Sequence, residues 1–166
     1  MRLGDVADYI YSQVGIFPLA GIDGWTGVGK TTIAKQMANK FRVQYLDLDD
    51  FLAKGKDMYV DALDLPRLKS AIEDASLPLY ISGVCLLEVC ARLEITLDAH
   101  IYLKRMGTET KIWQDEDEAL GSGLKAYERA GCQPSSLLNE MHNYHLKYQP
   151  HVRADHVIEI ACGASD

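Results

Sequence analysis

The chain has 166 residues, 48% apolar and 25% charged, with a formal net charge of -7 at pH 7. That is enough chain for one globular core, and an acidic balance without a visible basic patch excludes a long nucleic-acid partner held through its phosphates. No apolar run reaches the length of a membrane span, and the opening residues, with Asp5 and Asp8, do not resemble a leader; a single cytoplasmic domain over residues 1–166 is expected.

In chain order, Val6, Tyr9, Ile10 and Val14 stand at helical spacing with Gly15 after them, which predicts a short amphipathic helix over 5–14. The apolar run 16–23 predicts a buried strand. A helix over 30–41 follows, with Ile33, Ala34, Met37 and Ala38 on one face, and then a second strand over 43–49 that ends in acids. Pro66 suits the first turn of a helix reaching about residue 75. Residues 77–84 read as a third strand, 86–93 as a short helix and 99–103 as a fourth strand ended by Lys104 and Arg105. The polar, acidic, glycine-rich stretch 107–123 is expected to be the most mobile part of the chain and to carry a lid, near 105–123. Helices over 124–130 and 136–148 and a last strand over 157–161 complete the pattern. Alternation of strands and helices predicts an α/β fold: a three-layer α/β/α arrangement around a mostly parallel five-stranded sheet.

One motif carries specific chemistry. Gly24, Trp25, Thr26, Gly27, Val28, Gly29, Lys30 and Thr31 fit G-x-x-x-x-G-K-[ST], between a predicted strand and a predicted helix as that pattern requires, with Thr32 next in the helix. Backbone amides of such a loop curl around phosphate oxygens, the helix N-terminus adds positive potential, the lysine reaches the outer phosphates and the Thr31 hydroxyl suits Mg²⁺. ATP and Mg²⁺ are therefore the expected ligands. The alternative is a glycine-rich turn that happens to precede Lys-Thr.

At the carboxyl end of the second strand, where ligands bind in parallel sheets, stand Asp47, Asp49 and Asp50. One carboxylate there can take the proton of an attacking hydroxyl and another can hold a magnesium-bound water. Strand alternation would put Asp47 and Asp49 on one side and Asp50 on the other, so at most two serve one site. A solvated strand end or a capping cluster would carry the same residues. Lys104, Arg105 and Lys111 are sparse candidates for drawing charge off a transferred phosphoryl group, or plain surface cations. The histidines at 100, 142, 145, 151 and 156 include one i, i+3 pair without an evident third ligand, and are read as non-metal residues. Trp25 and Trp113 either cover a ligand or pack. Cys85, Cys90, Cys132 and Cys162 show no C-x-x-C spacing and are expected to be reduced and mostly buried.

The stretch 19–34, Leu-Ala-Gly-Ile-Asp-Gly-Trp-Thr-Gly-Val-Gly-Lys-Thr-Thr-Ile-Ala, resembles the opening of the uridine kinases and of their nicotinamide riboside, pantothenate and phosphoribulose kinase relatives. Asp49-Asp-Phe-Leu is similar to that family's Asp-x-Phe-Tyr signature, Asp61-Ala-Leu-Asp-Leu-Pro to its Pro-Asp-Ala-Phe-Asp segment, and Tyr148-Gln-Pro with Ala154-Asp-His-Val-Ile to its closing pattern. The resemblance implies an ATP-dependent kinase in which Asp49 is the catalytic base and Asp49, Phe51 and Asp61 face a small hydroxyl-bearing acceptor, a nucleoside or other ribose compound. The family's lid arginines have no match here, so Lys30 and Arg105 are the catalytic cations expected from the residues themselves, as Thr31 with Asp47 and Asp50 is expected to hold magnesium. Three features depart from the family. Ser82 stands where these kinases carry Glu, so that Glu88, Asp47 or Asp50 must substitute or the activity has changed; the lid is poor in arginine; and Met58, preceded by Asp57, occupies the place of an Asp that contacts ribose. The competing reading is an ATP-binding regulatory module with little or no transfer. A GTPase switch is disfavoured, since neither Asn-Lys-x-Asp nor a later Asp-x-x-Gly occurs. Self-association into a homo-oligomer stays open.

Overall fold

A computed structural model describes residues 1–53 and 58–162. Residues 3–14 are helical throughout: a 3₁₀ turn Leu3–Asp5, helix α1 Val6–Tyr9 and a π turn Ile10–Val14, stopped by Gly15 at a positive φ of 101°. Strand β1 Leu19–Gly24 leads through the glycine loop into α2 Lys30–Phe41, whose bounds are those the periodicity predicts. Strand β2 Gln44–Asp47 is shorter than expected, because the chain leaves the strand at Leu48 and makes a 3₁₀ turn Leu48–Phe51, capped by the Asp47 carboxylate accepting from Asp49 N at 3.2 Å. Asp49 and Asp50 therefore stand in a turn, not on the strand that the alternation argument assumed.

After α3 Tyr59–Ala62 and α4 Leu65–Asp74, β3 Leu79–Ser82 and α5 Leu86–Leu93 follow, then β4 Ala99–Gly107. Lys104 and Arg105 do not end β4. Parallel pairing with β5 His156–Cys162, from Ile101 opposite His156 to Gly107 opposite Cys162, carries the ladder past them. Between these strands come α6 Glu116–Leu120, α7 Gly123–Arg129, α8 Ser136–Tyr148 and α9 Pro150–Arg153.

The sheet runs β2-β3-β1-β4-β5, and every pairing is parallel, which sharpens the expected mostly parallel sheet. Strand alternation sorts the apolar side chains between two cores. Ile22, Tyr80, Ile101 and Leu103 pack with Ile10, Ile33 and Met37 on the α1–α2 face, whereas Leu79, Ile81 and Tyr102 pack with Leu68, Leu86, Met141 and Tyr144 on the other. Gly21 in β1 is a packing requirement, since a Cβ there would lie 2.5 Å from Leu86 Cδ2 and 2.6 Å from Leu97 Cδ1.

The stretch read as a mobile, polar lid contains packed structure. Trp113 forms a bridge with Met106 and is buried edge-on against Tyr102, with ring centroids 6.1 Å apart; Asp115 and Ala119 are buried as well. The Glu118 carbonyl accepts from His142 Nδ1 of α8 at 2.9 Å, tying α6 to that helix. Cys85 and Cys90 are buried as expected, whereas Cys132 is exposed. Among the described residues no helix is long and apolar enough to cross a membrane.

Candidate active site

The central strand β1 delivers the glycine loop to the carboxyl edge of the sheet. Its turns need φ values that only glycine adopts freely, with Gly24 at 149°, Gly27 at 73° and Gly29 at 103°. A Cβ on Gly24 would also stand 2.8 Å from the Leu103 carbonyl oxygen. Lys30 Nζ folds back to donate to the carbonyls of Gly24 and Trp25, each at 2.9 Å. Burial lowers the lysine pKa to about 8, against the opposing pull of Asp23, Asp49 and Asp47.

Thr31 Oγ1, one residue on, donates to Asp47 Oδ2 at 2.6 Å. Asp47 is the cross-strand partner of Ser82 in the β2–β3 register. A carboxylate of the adjacent strand thus stands in register with position 82, where the family resemblance expects one. Ser82 is buried, and its Oγ has no hydrogen-bond partner among the described residues. Glu88 lies elsewhere, ion-paired to Arg92 at 3.0 Å. A cleft of about 320 Å³ is lined by Thr26, Gly27, Gly29, Lys30, Thr31, Thr32, Asp47 and Asp49, with Gly83 and Val84 as its far wall.

Several expected site residues do not reach this cleft. The Trp25 side chain is buried edge-on against His145, at 5.2 Å between centroids, so its contribution to the loop is backbone only. Asp50 is exposed on the outer side of the 3₁₀ turn and does not line the cleft, so Asp47 is the acid that stands beside Thr31. Phe51 is buried in the core with the Arg67 guanidinium 4.8 Å over its ring. Asp61 lies in a neighbouring polar cavity of about 230 Å³, where it accepts from Arg92 at 2.6 Å. The expectation placed on Asp57 lies outside the described residues.

Among the candidate cations, Arg105 is the one beside the glycine loop: a Cβ on Gly27 would be 3.6 Å from its Nη1. Its Nη2 donates to Asp115, whose own pKa burial raises despite the guanidinium. Lys104 is turned onto the Trp113 ring at 4.8 Å, and Lys111 is exposed.

Three further residues belong to the site's scaffold. Asp23, the last side chain of β1, is fully buried and accepts from Gly24 N at 2.7 Å, from His100 Nε2 at 3.3 Å and from Tyr144 Oη. An acid at the end of an otherwise apolar strand was the available signal for it. Tyr59 Oη donates to Asp49 Oδ1 at 2.6 Å, and the Glu140 carboxylate of α8 accepts from Val60 N at 2.9 Å and from Tyr59 N. No local pattern signals these two, since residues 59 and 140 meet only through the fold.

The sequence model of the shikimate kinase family matches residues 26–63, a stretch that holds the glycine loop from Thr26, Asp47, Asp49 and Tyr59. No curated protein sequence matches the chain. The fold is similar to that of a possible uridine kinase from Bacillus stearothermophilus, at TM-score 0.56 and 17% identity, over 95% of this chain and 97% of that one. This is a P-loop α/β/α fold. Two further solved structures are similar at lower TM-scores: a gluconokinase from Sinorhizobium meliloti 1021 at TM-score 0.47 and 12% identity, covering 89% of this chain and 84% of that one, and a shikimate kinase from Bacteroides thetaiotaomicron at 0.45 and 16%, covering 84% and 85%.

Proposed function

We propose that the chain is an ATP-dependent small-molecule kinase that moves the γ-phosphate to a hydroxyl of a nucleoside or other ribose-type acceptor. The observation that carries this reading is one cleft holding Lys30, the Thr31–Asp47 pair and a second acid, Asp49, beside the glycine loop. A phosphate-binding module alone needs the loop and the lysine; a second carboxylate placed at the phosphates is what phosphoryl transfer to a hydroxyl adds.

In this mechanism the loop amides and Lys30 hold the phosphates in line, and Arg105, moving off Asp115, draws charge from the transferred group. The acceptor oxygen bonds to the γ-phosphorus as the bridging oxygen leaves with ADP, and Asp49 takes the acceptor's proton. Thr31 Oγ1 and Asp47 Oδ2 are hard oxygen donors and fit Mg²⁺; among the described residues no group of three His, Cys, Asp or Glu side chains gathers to hold a metal, which suits an ion that arrives with the nucleotide. Bound there, Mg²⁺ would neutralise charge on the outer phosphates.

The choice of acceptor class rests on the adjoining cavity. Its Arg92 is already paired with Asp61 at 2.6 Å and Glu88 at 3.0 Å, and with Glu140 the lining carboxylates outnumber the two cations, Arg92 and Lys147, which favours hydroxyl donors over an acid such as gluconate or shikimate. The test is phosphate transfer from Mg-ATP across nucleosides, nicotinamide riboside, pantothenate, sugar alcohols, gluconate and shikimate, with Lys30→Ala as the blank. Transfer to a neutral ribose compound that is lost in the blank is expected. Tight ATP binding without transfer to any of them would instead favour a regulatory nucleotide-binding module.

A further inference from the structure

The proton-accepting carboxylate of the cleft already holds a hydroxyl. Tyr59 Oη donates to Asp49 Oδ1 at 2.6 Å, within the range a general base needs toward the hydroxyl it activates. This contact is anchored. Tyr59 is the first residue of α3, its ring is buried in the core, and its backbone N–H and that of Val60 are tied to Glu140 on α8. Burial, followed by the bond to Asp49, pushes the phenol far above its ordinary pKa, so it remains a neutral donor at any physiological pH and a poor nucleophile.

We infer that Tyr59 is a placeholder for the acceptor hydroxyl: with no acceptor bound it occupies the Asp49 oxygen and denies that oxygen to water, and the incoming acceptor displaces it. The inference rests on the kinase reading of the cleft. A kinase that binds ATP before its acceptor risks hydrolysis, in which a water oxygen bonds to the γ-phosphorus, the bridging P–O bond breaks, ADP leaves and the water's proton passes to Asp49, giving inorganic phosphate. A water activated through Oδ1 along this direction would have to donate where Tyr59 Oη already does. A small acceptor that also fills the cavity lined by Asp61 and Arg92 brings binding energy with which to move the tyrosine, and water does not.

The decisive measurement is inorganic phosphate release from Mg-ATP without any acceptor, which can be made before the acceptor is known. Tyr59→Phe is expected to raise this rate about tenfold or more over the wild type, because the ring is kept and only the donor is lost. The double variant Tyr59→Phe with Asp49→Asn is expected to fall back to the wild-type rate or below. Glu140→Gln, which loosens the anchor and keeps the phenol, should shift the rate in the same direction by less, and it serves if Tyr59→Phe does not fold. Hydrolysis in Tyr59→Phe that is unchanged, or that falls together with transfer, would overturn the placeholder; the second result would make Tyr59 a residue that positions Asp49. Phosphate found on Tyr59 of the wild type by mass spectrometry would overturn it too, by making the tyrosine an acceptor. Failure of the kinase reading looks different: the wild type would then transfer phosphate to no compound, whether or not ATP raises its melting temperature, and the inference would fall with it.

Discussion

Asp47 closes β2 and caps the 3₁₀ turn that carries Asp49, and the oxygens of the two acids meet different partners. Asp47 accepts from Thr31 at one oxygen and from the Asp49 amide at the other, which holds it in place. Asp49 is exposed to the cleft apart from its tyrosine contact. Asp49→Asn is therefore expected to lower transfer about a hundredfold or more while ATP affinity stays within about threefold, as single-turnover kinetics and calorimetry would read. Lys30 supplies a pH signature. Its folded pKa of about 8 lies below the ordinary 10.5, so between those values the unfolded chain binds the proton that the folded chain has lost, and this group's contribution makes stability rise with pH across that window. Nucleotide phosphates favour the charged lysine, so ATP binding near pH 9 should take up a proton. Calorimetry in buffers of different ionisation enthalpy would show it, and Lys30→Ala should abolish it.

At the scale of elements, the site depends on how helices begin and how closely they approach the sheet. Helix α3 is only one turn long and could not form alone; two of its N-terminal amides are satisfied by the Glu140 side chain from α8. Glu140→Ala should cost about 1–2 kcal/mol, seen as a lower midpoint in urea, since it removes a charged cap from a buried helix start. Gly21→Ala drives a methyl into Leu86 and Leu97, and should lower stability by about 1–3 kcal/mol while separating α5 from β1. The helices over 30–41, 86–93 and 136–148 were legible in the sequence, because 3.6-residue periodicity is a local signal. Helices α3, α6 and α9 were missed because each is a turn or so long, with no period to read. The end of β4 was missed because Lys104 and Arg105 look like a strand's end until β5 pairs alongside them.

For the molecule as a whole, the glycine loop leaves the central strand of a five-stranded sheet, with a core on each face, so nucleotide binding is coupled to global stability. Mg-ATP at about a hundred times its dissociation constant should stabilise the fold by about 2.7 kcal/mol, read as a rise in melting temperature that Lys30→Ala removes. Ile101→Ala, in the middle of β4 and fully buried, should cost about 2–5 kcal/mol, and ATP binding should persist wherever the variant is folded.

By itself the sequence determined the α/β class, the phosphate loop with its lysine and threonine, the following helix and the presence of acids at the end of β2, because each is written in neighbouring residues. Only the tertiary structure decided which acid faces Thr31, that Ser82 stands opposite Asp47, that Arg105 lies beside Gly27 and that Tyr59 is seated on Asp49. Those meetings follow from β3 lying between β1 and β2 and from α8 packing against α3. Strand order and helix docking are set by the burial of two faces at once, a property of the whole chain that no local pattern carries.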